Sequence, residues 1–95
     1  MTHVRLKPDA AAEYWKIAAY YEDKAQGLGV DFTIEFDVAI DRISEYPKHC
    51  AARADETRRL LINRFPYVIV YTLERDEIVV LAVAHCRRNE GYWRR

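Results

Sequence analysis

The sequence predicts an α+β fold: an N-terminal strand, an antiparallel helical hairpin, then a three-stranded antiparallel meander, all four strands in one sheet. Three observations predict it. Apolar residues recur at helical spacing over two segments before Pro47; strand-like apolar runs replace them afterwards; and the connections between those later runs are short. The 95 residues suit a single domain, 1–95, and a 51% hydrophobic content suffices for one modest core.

Each element has its own signal. Val4 and Leu6 alternate with His3, Arg5 and Lys7, which marks a short strand. Pro8 ends it, and Asp9 is the expected N-cap of the first helix, its carboxylate accepting otherwise unpaired amide protons. Ala11, Tyr14, Ile17, Ala18, Tyr21 and Ala25 fall on one helical face, which Trp15 widens. The aromatic stripe Tyr14, Trp15, Tyr20 and Tyr21 reads as core and hairpin packing. Gly27 and Gly29 interrupt the pattern, and Gly27 can take the left-handed conformation that closes a helix. Phe32, Phe36, Ala39, Ile40 and Ile43 line one face of a second helix. Its other face carries Asp31, Glu35, Asp41, Arg42 and Glu45, and Pro47 stops it. Two amphipathic helices so tightly joined fold back on each other.

Residues 48–56 are polar and small and read as a loop. Residues 57–63 alternate as a strand, Leu60 and Ile62 on one face and Arg59 and Leu61 on the other. Pro66 opens a stronger strand over 67–73, rich in β-branched and aromatic residues. A polar turn over 74–77 leads into 78–84, an apolar run without alternation that marks a strand buried on both faces. That last strand is central, so the first strand is expected along its free edge.

The formal net charge is zero, from 15 Lys plus Arg against 15 Asp plus Glu. The sum hides a partition. Residues 1–47 carry five basic and nine acidic side chains, a net −4, whereas residues 48–95 carry ten and six, a net +4. A uniformly basic nucleic-acid binder is excluded; a basic surface built by one end of the chain is not. No stretch of 18 apolar residues offers a membrane span, and the N-terminus has no apolar run of signal-peptide length, so a cytoplasmic protein is expected. Cys50 and Cys86 fit no CxxC or zinc spacing and read as free thiols, and no metal or cofactor is expected. No phosphate loop, nucleophile elbow or dinucleotide fingerprint is present.

Candidate chemistry gathers at the end of the last strand. His85 is followed at once by Arg87 and Arg88, then by Tyr92 and Trp93. Guanidinium groups bind phosphate in a bidentate way, and imidazole exchanges protons near neutral pH. Arg58, Arg59 and Arg64 bracket the second strand and can join the same surface. RNA cleavage needs a base, an acid and cations for the phosphorane charge, and Arg59, His85, Arg88 and Tyr92 supply those types. The plainer reading makes residues 87–95 a solvated basic tail.

Three blocks in order resemble the RelE/ParE superfamily of toxins from type II toxin–antitoxin modules, often labelled plasmid stabilisation proteins. They are the hairpin with Gly27-Leu28-Gly29-Val30-Asp31-Phe32 and its ending Ile43-Ser44-Glu45-Tyr46-Pro47; Arg58-Arg59 leading to residues 64–71; and residues 78–85 followed by Arg87-Arg88 and Tyr92-Trp93. The resemblance implies a growth-inhibiting toxin neutralised by a cognate antitoxin, whose segment would cover the hairpin or an exposed sheet edge. It leaves two mechanisms open. A RelE-like member cuts messenger RNA on the ribosome without a metal, with Arg59, His85, Arg88 and Tyr92 as the catalytic set. A ParE-like member poisons DNA gyrase, with Arg58, Arg64, Arg87, Trp93, Arg94 and Arg95 as target contacts. Val68 and Leu61 stand where the nuclease pattern carries cations, and the His-x-Arg-Arg run with the long hairpin looks closer to ParE. A third possibility is a degenerate, non-toxic member.

Overall fold

The computed structural model describes residues 2–89 and 91–94. In chain order they form β1 (His3–Leu6), α1 (Pro8–Lys24), α2 (Leu28–Glu45), β2 (Arg58–Leu61), β3 (Tyr67–Glu74) and β4 (Glu77–His85), with a single 3-10 turn at Tyr92–Arg94. The sheet order is β1-β4-β3-β2. The β2, β3 and β4 strands form the expected antiparallel meander, and β1 lies parallel to β4 on its free edge. A parallel pair cannot be closed by a tight turn, and the chain between these two strands runs through the helical hairpin to β2 on the far edge and back through β3.

The helices cover one face of the sheet. Ile17, Phe32, Phe36, Ile43, Ile69 and Tyr71 anchor a core continued by Ile78, Val80 and Val83. β4 does not alternate because both its faces are buried, and a bulge breaks its register: Val70 pairs with Ala82 and Tyr71 with Val80, so Leu81 is the extra residue. Val80 and Val83 can then both face the helices. Val70, Val79, Ala82 and Ala84 are also buried but lie outside the helix-facing cluster, on the sheet's other face.

The hairpin closes through Gly27, at φ 87°, the left-handed region that favours glycine. Glu22 of α1 then supplies acceptors for the start of α2. Its carboxylate takes the Gly27 N–H at 3.0 and 3.1 Å and the Gly29 N–H at 3.0 Å. Gly29 is buried against α1, where a Cβ would lie 2.5 Å from the Ala18 carbonyl oxygen.

Four local expectations differ from the structure. Asp9 does not cap α1: the helix starts at Pro8, and Lys7 stands at the N-cap without a side-chain bond. Proline suits the first helical position, which moves Asp9 inside the first turn, where its charge faces the helix dipole. Trp15 and Tyr20 are 66% and 53% exposed, because α1 buries the narrower stripe of Ala10, Ile17 and Ala18 with Tyr14 and Tyr21 beside it. β2 is shorter than 57–63: the Thr57 N–H and hydroxyl both turn to Asp55, and Ile62 is fully buried in the loop that follows. Finally, the outer face of α2 is not wholly charged. Val30, Ile34 and Val38, spaced by four, are all at least half exposed.

Candidate functional site

The site begins where β4 ends. The Cys86 N–H donates to the Pro66 carbonyl, the Arg88 N–H to the His85 carbonyl, and the Arg87 N–H to His85 Nδ1 at 3.1 Å. These bonds turn the chain sharply back on itself. Gly91, at φ 85°, turns it again and starts the Tyr92–Arg94 turn.

That turn is not a free tail. The Tyr92 hydroxyl donates to Glu13 Oε2 at 2.5 Å, and the Glu13 Oε1 accepts the Val83 N–H at 3.0 Å. The Arg88 guanidinium lies over the Tyr92 ring, 3.6 Å from its centroid, with Nη1 3.8 Å from Glu13 Oε2. Tyr92 meets Trp93 edge on at 5.3 Å, and the Arg59 guanidinium sits 5.1 Å from the Trp93 ring. Arg94 is ion-paired with Asp55, which also accepts from the Thr57 hydroxyl and N–H. A groove of about 400 Å³, lined among others by Lys16, Leu81, Arg88 and Tyr92, opens beside the turn.

The electrostatics follow from these contacts. Burial, and then the hydrogen bond to Glu13, raise the Tyr92 phenol above its ordinary value, with Arg88 opposing them. The Thr57 hydroxyl, the Arg94 guanidinium and the Thr57 N–H hold the Asp55 carboxyl well below the usual carboxylate range. Two donors, Arg59 Nη1 and Trp93 Nε1, are buried with no hydrogen-bond partner among the described residues.

The nuclease-type residues are thus only partly assembled. Arg59, Arg88 and Tyr92 join one chain of contacts through Trp93. The His85 imidazole packs edge on against Tyr67 at 5.2 Å, and among the described residues no side-chain contact links it to the other three. The remaining arginines are dispersed. Arg58 donates to the carbonyls of Lys48 and Cys50; Arg64 reaches Asp31 at 3.6 Å and Glu35 at 3.8 Å. Arg87 is exposed, and Arg95 lies outside the described residues. Glu13, which holds the site together, was not a sequence candidate; its partners lie 70 and 79 positions away, a separation no local pattern reveals. Cys50 and Cys86 are free thiols. Among the described residues no three His, Cys, Asp or Glu side chains gather as metal ligands, and no helix is long and apolar enough to cross a membrane.

Against known families, the model described as "ParE toxin of type II toxin-antitoxin system, parDE" matches residues 4–90. The chain belongs to the ParE toxin family. A curated relative of this ParE-family chain, "Putative toxin Y4kP" of Sinorhizobium fredii (strain NBRC 101917 / NGR234), is 29% identical over 75 residues, spanning 78% of this chain and 77% of the relative. Among solved structures, one titled "Chromosomal ParDE TA system from P. aeruginosa" superposes with a TM-score of 0.75 at 18% identity, over 90% of this chain and 96% of the other. At that identity the likeness concerns the fold, and it agrees with the strand, hairpin and meander layout of this ParE-family chain.

Proposed function

We propose that this ParE-family chain, as one toxin domain over residues 1–95, arrests growth by blocking DNA gyrase through its C-terminal face, and that a cognate antitoxin neutralises it. The observation that carries the choice of target is the pair Leu61 and Val68, register partners on β2 and β3. They stand where the nuclease resemblance calls for cations, and Leu61 is 58% exposed, so a partner meets apolar surface there. A scissile phosphate would find no charge at that position. The Tyr92 proton points the same way: it is held by Glu13, which leaves the phenol a poor acid for a leaving oxygen. On this reading the protein acts in the cytoplasm, with Arg87, Trp93 and Arg95 as target contacts; Arg58, Arg64 and Arg94, tied within the fold, contribute less. The Val30, Ile34 and Val38 stripe on α2 offers the antitoxin an apolar helix face.

The ribosome-dependent nuclease reading retains one supporting observation. Arg88 stacks on Tyr92 beside an open groove, so a cation and a phenol share one site. The deciding experiment runs purified protein in two assays. The gyrase reading expects loss of supercoiling activity and no discrete messenger cuts in a translation extract. Cuts at ribosomal A sites, abolished by Arg88→Ala or Tyr92→Phe, with supercoiling intact, would establish the nuclease instead. Induced expression that leaves growth unaffected would identify a non-toxic member.

A further inference from the structure

Glu13 joins three parts of the molecule from its place on α1: the edge of β4 through Val83, the C-terminal turn through Tyr92, and Arg88. The Val83 bond completes the sheet. Pairing of β1 with β4 ends at Leu6 and Val80, Lys7 N–H adds one bond to the Val80 carbonyl, and beyond that the β4 edge has no strand partner among the described residues. A buried amide there needs an acceptor, and the carboxylate supplies it. The Tyr92 bond completes nothing in the sheet. It fixes the turn, beside which Arg59 Nη1 and Trp93 Nε1 are buried with no hydrogen-bond partner among the described residues. Among those residues two side-chain anchors hold the turn, Tyr92 on Glu13 and Arg94 on Asp55.

We propose that Glu13 is a positioning residue for the C-terminal face: by holding Tyr92 it fixes the orientation in which Trp93 meets the target, without touching the target itself. The inference rests on the reading that this face contacts the target. It assigns a functional role to a helix residue on the hairpin, and it separates the two oxygens of one carboxylate, Oε1 serving the fold and Oε2 the toxin's action.

The test compares Glu13→Gln, Glu13→Ala, Tyr92→Phe and the Glu13→Gln/Tyr92→Phe pair in the full chain. Glutamine keeps one acceptor oxygen for Val83 and loses the charge, so it remains informative even where alanine fails to fold. Amide exchange at Val83 reports the fold, and the Tyr92 phenol titration, followed by NMR, reports the latch. Half-inhibitory concentration against gyrase and growth arrest on induction report function. Tyr92→Phe is expected to keep Val83 protected and to weaken inhibition at least tenfold. Glu13→Gln, whose amide N–H can still donate to the phenol oxygen, should keep Val83 protected, return the phenol toward its ordinary value and lose less, and the double variant should match Tyr92→Phe alone. A Tyr92→Phe variant with Val83 protected and inhibition at the wild-type level overturns the proposal, as does an additive double variant. Should wild-type protein spare gyrase yet arrest growth, the target reading fails while growth arrest by the same variants still decides the role of Glu13. A wild type that does neither overturns both.

Discussion

Gly29→Ala sets two physical effects of opposite sign against each other. Replacing glycine by alanine within a helix gains about 1 kcal/mol in intrinsic propensity. Gly29 has no positive φ that would oppose the change. Its surroundings do. The added Cβ would sit 2.5 Å from the Ala18 carbonyl oxygen and 2.9 Å from Glu22 Cβ. A carbon and a carbonyl oxygen approach to about 3.3 Å in ordinary close contacts, so roughly 0.8 Å must be found. The obstacle is the backbone of α1, which cannot rotate away as a side chain tip can; the helices must part. Overpacking of this kind costs about 1–3 kcal/mol. Parting also stretches the Gly29 N–H bond to the Glu22 carboxylate, a charge-assisted contact that contributes about 1.5–3 kcal/mol. The net expectation is a loss of about 1.5–5 kcal/mol once the propensity gain is subtracted, the lower end applying where the bond is only weakened. For a domain of this size that lowers the melting temperature by about 6–40 °C. Urea titration followed by circular dichroism measures it, with Glu22→Gln as a companion that weakens the cap and leaves the steric contact untouched. A Gly29→Ala protein as stable as wild type would refute the close approach of the helices at this point.

Two further predictions concern pH. The Tyr92 phenol is raised in the folded state by burial and by its bond to Glu13, so its contribution to stability is present below the ordinary value of 10.0 and is lost as pH rises through the higher folded value. Tyr92→Phe should therefore flatten the alkaline limb of a stability–pH curve, and an unchanged limb would refute the raised folded value. Asp55 runs in the other direction: its folded value is depressed by Thr57 and Arg94, so its contribution is present above 3.8 and is lost as pH falls. Asp55→Asn should make the acid limb shallower, as measured by thermal melts stepped down in pH; a steeper limb would contradict the assignment.

Most of the fold was legible because its signals are local. Helical spacing up to Ile43, the break at Pro47 and the apolar runs over 67–73 and 78–84 each act within a few residues, and together they fix element order and sheet placement. The misreadings have equally local causes. Asp9 looks like a cap until Pro8 claims the first helical position, and Trp15 lies one step off a stripe too narrow to include it. The site was legible only as a set of residue types. Arg59, Arg88, Tyr92 and Trp93 do meet, but what organises them is Glu13 on α1, and Arg94 is fixed by Asp55 from the loop before β2. Side chains joined across 39 to 79 positions leave no periodic trace in a sequence, and neither does the orientation that sends the His85 ring to Tyr67.

The charge partition acquires a different meaning in three dimensions. The +4 of residues 48–95 suggested a field able to steer a phosphate-bearing partner, yet folding consumes much of it. Arg64 reaches Asp31 and Glu35 on α2, and Arg88 reaches Glu13 on α1, so the basic half is partly neutralised by the acidic half. Arg94 pairs with Asp55 and Arg58 with two carbonyls. Among the described arginines near the C-terminal face, Arg59 and Arg87 have no acidic partner, and Arg58 meets only carbonyls. A protein surface that neutralises many phosphates loses affinity steeply with salt, about a thousandfold or more between 50 and 200 mM for six or more contacts. Two phosphate contacts give a slope near two, hence a loss of only about tenfold over the same range. Half-inhibitory concentrations against gyrase at those two salt concentrations measure this directly. A thousandfold loss would show that the internal pairs open on binding and that the arginines act together on a polyanion. A tenfold loss would leave recognition to the shape of the turn and to Trp93.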